Sequence, residues 1–282
     1  MLFELVINGV IVGSKLGLAG LGFAIIYYTT REFHVAYGAL LTLAGYVAFF
    51  LVGTWSVPAL LGAVLSVGLA IAIGMAIQHW VYRPLGDHFS VLMMALGISI
   101  VVENALQMGF GADDVILDST ALKQKLVVGE FQIRSIELMV VAAFLAVWAF
   151  LYYLLERHRI GLALRAVMRD SVMAEFVGIK TRNIKLLAYG LGSAIGAVSG
   201  LVMAVDSGLR PSAGFEVLLL AFISTILGLG SLHRVAIWSL MIGIIMNVSS
   251  WQLPTQFQTL IVFGIMFVYM VITSRTAPMT KA

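Results

Sequence analysis

Residues 157–185 read RHRIGLALRAVMRDSVMAEFVGIKTRNIK, a basic segment set in a chain that is otherwise strongly apolar. On both sides of it the sequence returns to long runs without charge, so this segment is a loop between two groups of buried stretches. The 282 residues are 61% hydrophobic and only 11% charged. One water-soluble core cannot hide that much apolar surface, so lipid covers much of it. A bilayer core about 30 Å thick takes roughly 20 apolar residues per helical span. Outer-membrane barrels alternate apolar and polar residues, whereas the runs here are continuously apolar. The expected class is all-α, a polytopic helical membrane protein.

Hydropathy places spans at about 5–28, 35–53, 57–81, 89–109, 137–155, 185–205, 215–229, 235–251 and 256–273, about nine in all, with a range of eight to ten. The window 215–229 is short enough to be a half-span, tolerable only where protein or a water-filled cavity surrounds it. MLFELVINGVIVGSKLG at the start has no basic leader region and reads as an uncleaved first span. Cysteine is absent, which excludes disulfides and thiolate metal sites.

Lys and Arg set the orientation, since cytoplasmic loops collect them. The ends of the odd-numbered spans carry Arg31, Arg83, Arg157, Arg159, Arg165, Arg169, Lys180, Arg182, Lys185, Arg234, Arg275 and Lys281. Only Lys123, Lys125, Arg134 and Arg210 oppose them. The N-terminus is expected outside and the C-terminus in the cytoplasm. The long loop 110–136, with Asp113, Asp114, Asp118 and Glu130, is then external, and the basic loop 156–184 is cytoplasmic.

Within the basic loop, residues 162–177 have helical composition, with Leu162, Ala166, Met173 and Val177 near one face and Arg165, Arg169 and Glu175 away from it. Gly178 sits where a helix C-cap falls. Physical reasoning alone leaves three readings open: a helix in the lipid interface, a positive-inside connector, or a docking site for a partner.

The spacing Gly161, Arg165, Ala166, Asp170, Ala174, Gly178, Ile179 resembles the coupling loop of ABC importer permeases, in particular the branched-chain amino-acid permease family. The likeness runs along most of the chain. NGVIVGSKLGLAGLGFAIIY, with Asn8, Gly9, Gly13 and Ser14, resembles the family's opening span; Tyr82-Arg83-Pro84 and LGISIVVEN at 96–104 follow in its order. Pro211, Gly214, Phe215, Ala221, Phe222 and LGLGS at 227–231 are similar to the segment before its last spans. The chain departs from the pattern at His34, Tyr37 and Leu232-His233-Arg234.

The resemblance implies one transmembrane permease domain over 1–282, placed in the bacterial cytoplasmic (inner) membrane and working by alternating access. In the family the coupling loop forms a helix that docks on a separate ATPase. By that likeness Ala174 and Gly178 are its small residues, and Arg165, Arg169 and Asp170 its polar contacts. The implied partners are ABC ATPase subunits, a second permease in a hetero- or homodimer, an extracytoplasmic substrate-binding protein and the lipid bilayer, with no nucleic acid. No cofactor is expected on this chain, ATP and Mg belonging to the ATPase. The implied substrate is a branched-chain amino acid or a related small carboxylate or amide.

Gly9, Gly13 and Gly17 recur every four residues in the first span, and Gly192, Gly196 and Gly200 in the sixth. Such stripes let helix backbones approach closely, as fixed packing or as a sliding seam. Lys15 and Glu103 are ionisable groups at lipid depth, with Asn104, Gln107 and Asn247 nearby in polarity. A Lys15–Glu103 pair that stabilises packing and a Lys15 that faces the translocation path are both open. Asp206, Arg210 and Glu216 suggest an external mouth. No G-x-x-x-x-G-K-[ST] occurs, and the five His show no metal-ligand spacing, so an enzyme is not expected. The alternatives from other classes are an ion-coupled secondary transporter or channel, which calls for paired midplane acids and inverted repeats, and a membrane scaffold that moves no solute.

Overall fold

The computed structural model describes residues 2–114, 116, 125–128, 131–251 and 254–276. Asp118, Lys123, Glu130 and Lys281 lie outside them. The elements are α1 (Leu2–Thr30), α2 (Ala36–Phe49), α3 (Ala59–Ala76), α4 (His88–Phe110), β1 (Lys125–Val128), β2 (Phe131–Arg134) and α5 (Ser135–Arg157). They continue with α6 (Arg159–Arg169), α7 (Ser171–Phe176), α8 (Thr181–Asp206), α9 (Ala213–Leu227), α10 (Leu232–Ser249) and α11 (Thr255–Thr276). Two π-helical turns, Phe50–Thr54 and Ile77–Tyr82, prolong α2 and α3.

Each of the nine apolar runs of the sequence is a helix. Seven are long and apolar enough to cross a bilayer, while α9 and the apolar part of α11, Phe257–Thr273, are shorter. At 1.5 Å per residue α9 spans about 22 Å, less than a hydrocarbon core. It packs on α1, α2, α10 and α11, so protein surrounds it as a short span requires. The loop between α4 and α5 departs from pure helix. KLVV and FQIR pair antiparallel, Lys125 opposite Arg134 and Val128 opposite Phe131, two short runs that include the β-branched and aromatic residues strands favour.

The bundle is built around α1. In its most apolar window 83% of residues are buried, against 22% for α4 and 17% for α5, so α1 is the core helix and the others present a face to lipid. α10 and α8 flank it, with α9 and α5 beside them. Several hydroxyls inside the bundle are spent on the preceding turn: Ser14 donates to the Val10 carbonyl at 2.7 Å, Thr29 to Ile25 at 2.7 Å and Thr42 to Gly38 at 3.1 Å. That local bond removes the cost of a bare donor in an apolar setting.

Both glycine stripes are packing seams within the chain. A methyl group on Gly9 would lie 2.6 Å from Cα of Ile244, and one on Gly13 2.7 Å from Cα of Leu240. Gly17 faces Ser239 Oγ and the Phe144 ring. On α8, a methyl group on Gly192 would lie 2.6 Å from the Gly22 carbonyl oxygen, one on Gly196 2.8 Å from the Tyr37 ring, and one on Gly200 against the Leu41 carbonyl. Any side chain at these points would push α1 from α10 or α8 from its neighbours. α3 carries a further stripe, Gly62, Ser66, Ala70 and Gly74, buried against the bundle while Leu60, Leu61, Val64 and Leu65 face outward.

Candidate functional site

The loops that carry Arg31, Arg83, residues 158–181 and Gly230 meet at one end of the bundle; the hairpin and residues 207–212 lie at the other. At the first end the basic segment folds into α6 and α7. α6 turns back onto the end of α5: Gly161 rests on the backbone of Leu154 and Leu155, where no side chain fits. Leu164, Val167 and Ala174 join the main core cluster, and Arg165 Nη1 donates to Glu156 Oε1 at 2.7 Å. The Arg31 guanidinium reaches the Met168 carbonyl at 3.2 Å, pinning the α1–α2 loop to the end of α6.

The expected single helix over 162–177 is two. Asp170 leaves helical geometry, and its Oδ1 accepts from the Val172 and Met173 amides at 2.9 and 3.0 Å, which makes it the N-cap of α7. The break resets the periodicity, so Leu162, Ala166, Met173 and Val177 do not form one continuous helical face. Leu162, Met173 and Val177 are exposed; Gly161, Leu164, Val167 and Ala174 are the buried set. Asp170 is thus committed to capping, and Arg165 to its pair with Glu156.

Gly178 ends α7 as its sequence position suggested. Its φ of +86° is in the left-handed region, which costs a residue with a side chain about 1–2 kcal/mol. The Gly178 amide donates to Glu175 and that of Ile179 to Ala174, both at 3.0 Å, a Schellman closure. The result is a fixed turn that displays Val172, Met173, Phe176 and Val177, with Phe176 81% exposed. The sequence pattern places Met173 and Val177 on the apolar face of this segment and passes over Val172 and Phe176. The signal available was Asp170 as an N-cap directly before SVMAEF.

At the other end charge is paired and covered. Asp206, its side chain only 2% exposed, accepts from Lys15 Nζ and from Arg134 Nη2, the latter at 2.7 Å. Arg134 Nε also donates to Glu137 Oε1 at 2.8 Å, and its amide to Glu137 Oε2 at 3.1 Å. These bonds, that to Glu137 first, hold the Arg134 guanidinium above its usual pKa. Two cations and two carboxylates balance, tying α1, α5 and α8 together. Of the readings open for Lys15, the pair with Glu103 is not formed: the partner is Asp206, brought in by α8 packing beside α1. Glu103 sits half-buried on α4, and neighbouring Asn104 is exposed, its amide donating to the Ile100 carbonyl at 2.8 Å. Asn247 is half-buried on α10. The four path candidates are not gathered into one site. Of the supposed mouth, the Asp206 carboxylate is covered, Arg210 pairs with Asp114 at 3.0 Å and Glu216 is exposed.

Known proteins place this geometry in context. The family described as branched-chain amino acid transport system, permease component, matches residues 5–271. The high-affinity branched-chain amino acid transport system permease protein BraD of Pseudomonas aeruginosa is 27% identical over 278 residues, covering 92% of this chain and 90% of its own length. LivH of Escherichia coli strain K12, with the same description, is 28% identical over 283 residues, with coverage of 94% and 91%. A probable branched-chain amino acid transport permease LivH of Methanocaldococcus jannaschii is 25% identical, covering 98% and 91%. Among solved structures, PsaBC from Streptococcus pneumoniae in complex with Fab superposes with a TM-score of 0.51 at 13% identity, covering 93% of this chain and 89% of that one. That last likeness is one of fold.

Proposed function

The chain belongs to the branched-chain amino acid transport system permease components, and on that footing we propose that it is the membrane-spanning subunit of an ATP-driven importer whose α6–α7 module docks on a separate ATPase. The observation that carries this reading is the exposed ridge of Val172, Met173, Phe176 and Val177 on a turn locked by Asp170 and Gly178. Apolar side chains held rigidly beside Arg169, at the end where the basic loops gather, suit insertion into a groove of a cytoplasmic protein. Positive charge at that end supports a cytoplasmic placement, with the N-terminus outside. A branched-chain amino acid or a related small carboxylate or amide is the substrate. A substrate-binding protein delivers it at the hairpin end, and a second permease completes the path. The bacterial inner membrane is the setting.

An ion-coupled transporter fits less well. Such a machine needs acids free to titrate at mid-membrane, whereas Asp206 is held between two cations and Glu103 sits on the peripheral helix α4.

Arginine at Ala174 or Gly178 would disrupt the fold of the turn itself, so the informative substitution is Phe176→Asp. We expect this variant to keep its melting temperature while its affinity for the co-expressed ATPase falls about 30-fold, as for loss of a 2 kcal/mol anchor. Unchanged affinity and unchanged ATP-driven uptake of leucine in proteoliposomes would sink the docking reading.

A further inference from the structure

A cavity of about 510 Å³ opens at the α6–α7 end, between the α1–α2 loop, the end of α3, the start of α4 and the start of α8. It is within the size range of small-molecule sites. Nothing in the transport reading uses it. Its wall is chemically divided.

Deep in it are acceptors short of donors. Gln78 lies on the π-helical turn after α3, a kind of irregularity frequent at functional sites. It is 8% exposed, and its Oε1 is buried without a hydrogen-bond partner. Glu32 receives one bond, from Tyr189 Oη at 2.9 Å. Among the described residues no cation lies within ion-pair distance of it. Burial pushes its carboxyl above the usual range despite the Tyr189 bond and the field of Lys185 and His88. Around this floor stand Arg83, Arg182 and Lys185. The other titratable groups in its lining are Tyr82, His79, His88 and Asp87, whose carboxylate caps α4 through the Ser90 amide at 2.9 Å.

A simple anion is repelled by the floor and a simple cation by the rim. A primary ammonium with an anionic group a few atoms away satisfies both. We propose that this cavity binds a free α-amino acid, its ammonium on Glu32 and Gln78 and its carboxylate facing Arg182 and its basic neighbours. The choice of an amino acid from the cytoplasm rests on the transport function proposed above. Thr181, Arg182 and Asn183 open α8, directly after the Gly178 turn, so a ligand there bears on the position of α7. Accumulated product would thus slow its own import.

The test uses the permease–ATPase complex in nanodiscs of phosphatidylcholine, titrated calorimetrically with L-leucine, 4-methylpentanoate and isopentylamine. The last two keep the side chain but lack the ammonium or the carboxylate. We expect saturable binding of leucine only, weakened about tenfold by Glu32→Gln, which preserves an acceptor for Tyr189, and similarly by the exposed rim change Arg182→Ala. ATP hydrolysis should fall with leucine in the native complex and not in Glu32→Gln. Leucine affinity unmoved by both substitutions, or 4-methylpentanoate binding as tightly, overturns the site. Repetition in phosphatidylethanolamine, whose headgroup has the same paired charges, separates the sources. If that lipid abolishes leucine binding and stabilises the complex only while Glu32 is intact, the occupant is a headgroup and the amino-acid assignment fails. Leucine uptake from the outer face is measured separately. Absent uptake with Glu32-dependent binding retained rejects the transport function and keeps the site; uptake without such binding does the reverse.

Discussion

The two ends of the bundle handle charge in opposite ways. At the hairpin end Lys15, Arg134, Asp206 and Glu137 neutralise one another, with Asp206 almost entirely covered. At the α6–α7 end most cations stay exposed, apolar side chains stand beside them, and the half-buried Glu32 and the buried Gln78 lack full sets of partners. The first arrangement is closed on itself and holds three helices. The second leaves interactions unmade, as a surface that meets partners must. Residue types do not separate the two ends; partner geometry does.

The contrast is most severely tested by Asp206→Ala. Removing the shared carboxylate leaves Lys15 without its partner in a largely covered site, while Arg134 keeps Glu137, and breaking a buried pair this way costs about 3 kcal/mol. Thermal unfolding in detergent should show a large drop; a change below about 1 kcal/mol would mean the cluster is no clamp. Acid sharpens the comparison at a middle magnitude. His34, in the α1–α2 loop, is fully buried; its Nδ1 lies 2.8 Å from Tyr82 Oη. Burial pushes its pKa from 6.5 down to about 3. As pH falls the unfolded chain takes up this proton first, so stability is present above about pH 6.5 and is lost below it. The loss is about 1.4 kcal/mol at pH 5.5. Hydrogen exchange should report opening near residues 31–35 before the Asp206 cluster, and His34→Gln should flatten the profile. The smallest effect is expected from Glu156→Gln. Its bond to Arg165 is solvent-reached on both sides, and such pairs contribute about 0.5 kcal/mol or less, so the melting temperature should barely move.

The sequence made the nine apolar segments legible because a 20-residue apolar run admits few conformations in lipid. The Gly178 turn was legible for a local reason too, since a glycine after a helical stretch has few other uses. The split at Asp170 was not. A continuous 3.6-residue pattern can be drawn through 162–177, and only the capping bond shows that it stops halfway. The partner of Lys15 was hidden for the opposite reason. It depends on which of two distant carboxylates the packing of α8 against α1 brings near, and no local periodicity encodes that. Gln78 and Glu32 drew no notice because a Gln near a helix end and a Glu in a loop are ordinary until burial and missing partners are seen.

The clamp at Asp206 also has a temporal side. Lys15 and Asp206 are 191 residues apart in the chain, and synthesis at about 5–20 residues per second puts roughly 10–40 s between them. For that interval the central helix is in place with its ammonium unneutralised, held by interfacial water, lipid phosphates or the insertion machinery. α1 is made well before α8 yet is secured only with it, so a nascent chain arrested before α8 should be the species that quality-control proteases remove.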